Sequence, residues 1–377
     1  MLLLTKIKFN QKRRRVSKLS NTNISIQRHL FPALEEEIGK LSDNEQKFIR
    51  IIELINLPRY LTSFYWCGTG RKPHSRISLA KAFVAKAVWN MPTTRALLDM
   101  INSSPSLRRL CGWDSVVDIP AESAFSRAFA AFAEIELPQQ IHAALVNDNL
   151  GDRICGHVSR DSTAINGREK PLKKAKKVKQ KKKRGRPRKG EKREKLKRRL
   201  EVQPEQTVEE NINGLPAYCN VGTKKNSKGY KVSWTGYKLH LDVIDGDIPV
   251  SAILTSASLH DSQVAIPLAQ MTETRITNLY DLMDAAYDAP EIHAFSRALG
   301  HIPIIDHNPR RGKEKNKMDP AEKQRYNQRS SAERVNSNLK DNYGGNHIRV
   351  KGTKKVACHL MFGLIALTAT QLFNLLL

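Results

Sequence analysis

Hydrophobic residues between positions 30 and about 150 recur at helical spacing, which predicts an all-helical N-terminal domain. An apolar series from Phe48 to Ile55 predicts one helix. Ser78 begins a second, and a break at residues 91–94 separates it from a third. Two short helices around a tight turn are compatible with a helix-turn-helix motif that reads DNA, and also with any helical bundle. Residues 1–29 are polar and basic without a sustained period, so they predict a flexible arm.

After residue 150 the pattern changes to the alternation that is typical of β-strands. The predicted elements are strands over residues 154–165, 237–244 and 248–254, a helix over 260–271, a strand over 277–284, a helix over 290–299, a short strand over 302–305 and a helical region over about 320–342. The order β, β, β, α, β, α, β, α indicates an α/β fold, in which helices cover the faces of a mixed sheet.

Residues 356–377 form a stretch of 22 residues without Asp, Glu, Lys or Arg, which is long enough to cross a bilayer. The stretch also contains six polar or glycine positions, and its large apolar residues recur as in a helix that is buried on most sides. We therefore expect a core helix rather than a membrane span. The apolar run at the N-terminus is too short for a signal peptide.

The five cysteines are widely separated and include no Cys-x-x-Cys pair, which predicts buried thiols in a reducing compartment rather than disulfides or a zinc site.

The net charge of +27 points to a polyanionic partner, because such a chain repels itself unless a polyanion neutralises it. The charge is concentrated. Between Arg168 and Arg199, 20 Lys and Arg against three Asp and Glu give +17, and the other 345 residues carry only +10. This segment interrupts the predicted sheet, so residues 168–230 are expected to be a disordered basic insertion. Double-stranded DNA is the first partner to expect.

The basic segment contains an Arg-Gly-Arg-Pro core that resembles an AT-hook, formed by Arg184, Gly185, Arg186 and Pro187. Extended backbone at a glycine can enter a narrow minor groove, whose negative potential attracts the flanking arginines. A polycation that binds any DNA and a nuclear-localisation tract are the alternatives.

Three acidic residues stand out by their context. Asp161 lies inside a predicted strand, where Asp is disfavoured; Asp284 lies at a strand end; and Glu333 lies on the last polar helix. Carboxylates are the ligands of hard cations such as Mg²⁺, and two such ions can promote phosphodiester cleavage. The alternative is that they are ordinary solvated acids.

The helix that carries Glu333 also places Tyr326, Arg329 and Lys340 on the same stripe, at 100° per residue. Such a stripe fits a metal-binding acid flanked by phosphate-binding cations. It also fits a solvated surface, since Arg329 and Glu333 form an i, i+4 pair.

The spacing Tyr-x₂-Arg-x₃-Glu-x₆-Lys resembles the YREK signature of the DDE transposases of bacterial insertion sequences, in their insertion-sequence-four-type branch. Two further motifs match this family in the same order: Asp161-Ser162-Thr163 resembles the first-Asp motif, and Asp284-Ala285-Ala286-Tyr287 resembles the second. The match is strong over about residues 150–377 and loose over the helical region.

The resemblance implies an RNase H-like catalytic domain over residues 151–377, interrupted by the 168–230 insertion and preceded by a DNA-binding or dimerisation domain over residues 30–150. It implies that Asp161, Asp284 and Glu333 are catalytic and hold two Mg²⁺ ions, with Mn²⁺ as a substitute; Asp288 is a rival for the second position. Tyr326, Arg329 and Lys340 would bind phosphates of the transposon end.

The implied activity is cut-and-paste DNA transposition by a homodimer that binds terminal inverted repeats, in the bacterial cytoplasm and in association with the nucleoid. No small-molecule substrate and no membrane partner are expected. Two alternatives stay open: a non-catalytic or domesticated DNA-binding protein with an A·T-preferring tract, and an RNase H-like nuclease without strand transfer.

Overall fold

The computed structural model describes residues 19–62, 66–151, 153–172, 197–225, 228–309 and 317–376. The predicted AT-hook at Arg184, Gly185, Arg186 and Pro187 lies outside the described residues.

The described residues between 19 and 150 form helices and connecting segments, with no strand among them. A helix over residues 19–25 continues through a π-helical turn at Ile26–Leu30. The helices that follow are α1 (Phe31–Ile38), α2 (Asp43–Ile55), α3 (Arg76–Val88), α4 (Thr94–Ser103), α5 (Pro105–Cys111), α6 (Glu122–Glu134) and α7 (Leu137–Leu150). Serine and threonine side chains cap several of them. Ser42 and Glu45, for example, form a reciprocal capping box at the start of α2.

The rest of the chain builds one mixed sheet. Its strands are β1 (Ile154–Asn166), β2 (Asn220–Lys225), β3 (Lys231–Ile244), β4 (Ile248–Ser256), β5 (Thr277–Met283) and β6 (Ile302–Ile305). The sheet has the order β2-β3-β1-β5-β6, and β4 pairs with β3. Strand β1 is antiparallel to β3 and parallel to β5, and β5 is parallel to β6. All five strands predicted from the alternation are present.

Helices cover both faces of this sheet, which makes the architecture the expected RNase H-like α/β fold. They are α8 (Arg199–Val202), α9 (Val208–Asn213), α10 (Ser262–Glu273), α11 (Pro290–Ala298), α12 (Pro320–Tyr326), α13 (Ser330–Asn342) and α14 (Thr353–Asn374). Helix α10 packs on β3 and β4 from one side, and α13 packs on β1 from the other.

Helix α14 is the apolar C-terminal segment, and it is a core helix, as predicted. It is 22 residues long and apolar enough to cross a membrane, but 83% of its most apolar window is buried inside the protein. It packs against α3, α6 and α7 and against β4. The Phe362 ring lies 5.8 Å from the Phe83 ring and 6.4 Å from the Phe129 ring, between centroids. The bundle and the sheet therefore share one continuous core.

Helix α14 also approaches the end of α13 closely. A Cβ atom at Gly363 would lie 2.5 Å from the backbone oxygen of Tyr343, so only glycine fits at this crossing without a backbone shift.

Three sequence-based expectations were wrong in detail. Residues 19–29 are helical rather than part of a flexible arm, because Leu19 and Ile26 are buried against the bundle. Within the predicted 168–230 insertion, residues 197–225 are ordered as α8, α9 and the edge strand β2. The helical region over 320–342 is interrupted by a 3₁₀ turn at Asn327–Arg329.

Candidate active site

Asp161 and Asp284 lie side by side at the centre of the sheet. Strands β1 and β5 run parallel with Arg160 opposite Met283. Asp161 is the next residue of β1, and Asp284 is the residue that directly follows β5. Their proximity raises the pKa of Asp161, in addition to the larger effect of burial. The structure therefore brings the two predicted aspartates together, although they are far apart in the sequence.

The alternation of β1 directs neighbouring side chains to opposite faces of the sheet. On the α10 side, Arg160 forms two hydrogen bonds with the Asp242 carboxylate, of 2.8 and 2.7 Å, and both side chains are almost fully buried. Thr272 of α10 donates a further hydrogen bond of 2.6 Å to Asp242. This network holds β1 against β3 directly behind the site, and leaves Asp161 to face α13.

Asp161 and Asp284 both resist ionisation. Burial raises the pKa of Asp161 to about 6, and a hydrogen bond from the Ser162 amide and the charge of Arg329 act against the rise. Burial also raises the pKa of Asp284, although its Oδ1 accepts a hydrogen bond of 2.9 Å from the Ala286 amide. Two crowded, partly desolvated carboxylates make a place where a cation would be favourable.

Tyr287 lies close to both carboxylates on the buried side of the site. Its ring is almost fully buried, and burial together with nearby carboxylates raises the pKa of its hydroxyl well above the usual value. The hydroxyl has no hydrogen-bond partner among the described residues.

Glu333 reaches the site from α13 but is turned towards a cation. Its Oε1 lies 2.5 Å from a guanidinium nitrogen of Arg329, and the Glu333 side chain is 55% exposed. Its charge still contributes to the raised pKa of Asp161. Glu333 therefore stands at the edge of the aspartate pair rather than inside it.

Asn336 was not identified from the sequence, yet it is the residue of α13 that touches Asp161. Its Nδ2 donates a hydrogen bond of 3.1 Å to Asp161 Oδ2, and its Oδ1 has no partner in the described part of the chain. Asn336 lies three residues after Glu333, so helical spacing alone would have placed it on the same stripe.

Tyr326, Arg329 and Lys340 lie near the carboxylates, with Tyr326 and Arg329 close to Asp284 and Lys340 close to Asp161. The Arg329 guanidinium lies 5.6 Å from the centroid of the Tyr326 ring. Lys340 is half-buried, and its pKa is lowered by burial and by the nearby Lys224 of β2. Lys224 was also missed, because β2 itself was not predicted.

Asp288, the rival for the second carboxylate, is bound to other partners. Its Oδ1 pairs with His293 at 3.1 Å and its Oδ2 accepts a hydrogen bond of 3.0 Å from the Asn308 amide. These bonds lower its pKa and tie the loop after β6 to the start of α11.

A further ionic group stands behind Asp284. Lys238 of β3 bonds Asp261 at 2.9 Å, and the buried His240 imidazole lies 4.0 Å from the same carboxylate oxygen. Asp261 adds to the negative charge that raises the pKa of Asp284.

The side chains at these positions have the chemistry of divalent-cation ligands. In the described ranges, no three His, Cys, Asp or Glu side chains stand close enough to hold one ion. Asp161 and Asp284 alone have the donor chemistry and the crowding that a hard cation relieves. Glu333 is paired with Arg329 instead.

A mixed sheet in this order, with one aspartate on β1, a second directly after the parallel strand β5, and an acid and cations on the covering helix, is the architecture of the RNase H-like class. The family comparison names the branch of that class. The family model described as Transposase DDE domain matches residues 157–369, and the one described as Transposase domain (DUF772) matches residues 34–131.

The chain therefore belongs to the DDE transposases of insertion sequences, which catalyse DNA cleavage and transposition and generally use divalent metal ions. Neither a curated protein nor a solved structure matches the chain.

Proposed function

We propose that Asp161, Asp284 and Glu333 are the catalytic carboxylates of this transposase and that they hold two Mg²⁺ ions, for which Mn²⁺ can substitute. The observation that supports this most strongly is the adjacency of Asp161, on β1, to Asp284, which directly follows the parallel strand β5. When bound, two such ions activate the attacking oxygen and stabilise the leaving oxygen of an in-line displacement.

Arg329, at the start of α13, Lys340, near its end, and Lys224 of β2 are proposed to bind DNA phosphates. Burial and the nearby Lys224 lower the pKa of Lys340, and a phosphate bound between the two lysines would favour the charged form of Lys340. Arg329 suits bidentate phosphate contact. When a DNA phosphate takes Arg329, Glu333 is released to turn towards Asp161 and Asp284, so DNA binding completes the carboxylate set.

The substrates in this proposal are the terminal inverted repeats of the element that encodes the protein, followed by target DNA. Hydrolysis at an element end frees a 3′-hydroxyl, which then attacks the target. Because two ends must be joined, a homodimer is proposed. Arg184, Gly185, Arg186 and Pro187 are proposed to add minor-groove contacts with an A·T preference. Membership of the insertion-sequence-four-type branch is also proposed, and the spacing from Tyr326 to Lys340 supports it. The place of action is the bacterial nucleoid.

The proposal is tested by Asp161→Asn, Asp284→Asn and Glu333→Gln, with Glu322→Gln as the control, because Glu322 is exposed on the neighbouring helix α12. A duplex that carries the DNA flanking the gene is incubated with Mg²⁺ or Mn²⁺, and cleavage and strand joining are read on a sequencing gel. Each site variant is expected to bind the duplex but not cut it. Normal cleavage by any one of them, in a preparation that matches the control, would remove that residue from the set.

A further inference from the structure

A cavity of about 150 Å³ lies away from the carboxylates, between the helical bundle and the segment that follows α13. One wall is the turn from α3 to α4, and the other is the segment over residues 347–350 together with α14. Its polar lining includes Lys86, Thr94, His347, Arg349 and His359, and Glu122 contributes a carboxylate at the start of α6.

Lys86 is the unusual member of this lining. Its side chain lies on α3 with only 8% of the residue exposed, although a lysine at such a position is normally paired. Among the described residues, no carboxylate or hydrogen-bond acceptor pairs with its ammonium, and burial alone accounts for its lowered pKa of about 8. The fold therefore keeps an unpartnered cation against an internal space.

The N-terminus of α4 opens on the same cavity. Thr93 caps this helix of ten residues by accepting a hydrogen bond of 3.0 Å from the Ala96 amide. The amides of Thr94 and Arg95 have no acceptor within the helix, since the first turn of every α-helix lacks one. Amides at such a position bind anions readily, with the helix dipole in support.

The opposite wall adds positive charge and a neutral imidazole. His347 and Arg349 come from the segment after α13. The His359 Nε2 donates a hydrogen bond of 2.9 Å to the Gly344 oxygen, and burial lowers its pKa to about 3. Because His359 stays neutral, it does not compete with Lys86 for an anion.

We propose that this cavity binds one phosphate group, held by Lys86, the first amides of α4 and Arg349. The volume suits a single tetrahedral anion. The phosphate can come from a DNA backbone or from free inorganic phosphate. Binding of a DNA phosphate rests on the proposed function as a transposase.

A phosphate here would connect the bundle to the catalytic helix. Asn90, in the turn beside Lys86, donates a hydrogen bond of 2.6 Å to the Asp341 oxygen and accepts one of 2.9 Å from the Gly344 amide. Asp341 directly follows Lys340 on α13. The same turn therefore contacts both the cavity and the end of the helix that carries Glu333.

The test compares Lys86→Met with Lys40→Met, which removes the same charge from an exposed site. Met preserves most of the side-chain volume, and removal of a buried, unpaired charge is expected to raise the melting temperature of the full chain. A higher melting temperature would show that the Lys86→Met variant is folded, so that a loss of binding could not be attributed to a folding defect.

Two measurements are made without divalent metal, so that catalysis plays no part. In the first, inorganic phosphate replaces chloride at constant ionic strength while the melting temperature is recorded. In the second, binding of a short random-sequence duplex is measured against salt, where loss of one phosphate contact lowers the slope of log K against log [salt] by about 0.9.

If the site binds free phosphate, phosphate should raise the melting temperature of the parent protein and of the Lys40→Met variant. It should not raise that of the Lys86→Met variant. If the site binds a DNA phosphate, the slope of log K against log [salt] should be smaller by about 0.9 for Lys86→Met than for Lys40→Met. Either result supports the site. If Lys86→Met and Lys40→Met behave alike in both measurements, the proposal is wrong, whatever the carboxylate variants do to cleavage.

Discussion

Arg329 and Glu333 bind each other across one turn at the start of α13, with 2.5 Å between a guanidinium nitrogen and the carboxylate Oε1. The same guanidinium opposes the rise in the pKa of Asp161 and of Asp284. One arginine thus serves as the counter-charge for all three acids of the proposed catalytic set.

Arg329→Gln is expected to lower the stability of the metal-free protein at pH 7 by roughly 1 kcal/mol, because three acids lose their cation. Added Mg²⁺ should narrow that deficit, since the ion supplies the missing positive charge. Arg325→Gln is the control for a lost positive charge, since Arg325 lies over the Tyr280 ring instead. Thermal melts with EDTA and with Mg²⁺ measure the effect, and a deficit that Mg²⁺ leaves unchanged would contradict this role.

Asp161→Asn is expected to stabilise the metal-free protein at pH 7. The pKa of Asp161 rises from 3.8 to about 6 on folding, so its stabilising contribution is complete below pH 3.8 and is lost as the pH passes 6. A neutral Asn escapes this cost, which is worth at most roughly 3 kcal/mol. Denaturant melts in EDTA should therefore show a gain at pH 7 that vanishes near pH 4.

Asp288→Asn provides a control of opposite sign. Its pKa is lowered on folding by the Asn308 amide and His293, so ionised Asp288 stabilises the fold above its unfolded pKa. The Asn variant should therefore be less stable than the parent at pH 7. If Asp161→Asn and Asp288→Asn change the free energy of unfolding at pH 7 in the same direction and by the same amount, the opposite pKa shifts of the two carboxyls would be contradicted.

Asn336→Ala is expected to reduce cleavage by roughly 10- to 100-fold while the protein remains folded, because the residue orients Asp161 without replacing it. A requirement for more Mg²⁺ should accompany the loss, and Asn336→Asp should be worse because it places a third acid beside Asp161. Asn342→Ala, at the exposed end of the same helix, is the control. The measurement is the cleavage rate against metal concentration. A drop in rate with no change in the metal requirement would argue for a packing role.

Asp242→Ala is expected to cost roughly 3–5 kcal/mol of folding free energy, because it leaves Arg160 charged and unpaired in the core. Arg334→Met breaks the exposed pair with Asp247 and should cost less than about 1 kcal/mol. Urea denaturation of both variants gives the comparison. If the two costs are similar, the Arg160–Asp242 pair does not hold β1 and β3 together as described.

Much of the fold was predictable because its strands alternate clearly and its helices carry caps and apolar stripes. Strand β2 was missed because its sequence, Asn-Val-Gly-Thr-Lys-Lys, is polar and lies at an edge, where burial imposes no alternation. The helix over residues 19–29 was missed because only Leu19 and Ile26 reach the core.

The site was predictable where a residue type was out of place, as Asp161 is inside a strand. Asn336 gave no such signal, because an asparagine on a polar helix is ordinary until its contact with Asp161 is seen. The ion pair of Arg329 with Glu333 followed from i, i+4 spacing. The spacing did not predict the consequence of this pair, which is that Glu333 stands apart from the two aspartates.

The placement of α14 has a consequence for how the molecule is made. This helix fills the space between the bundle and the sheet, and Gly363 lets it cross the end of α13 at backbone distance. Chain order puts it after every other element, so on the ribosome the bundle and the sheet emerge before the helix that joins them. The apolar surfaces of the bundle and the sheet that residues 353–374 cover can therefore be buried only after those residues have been made.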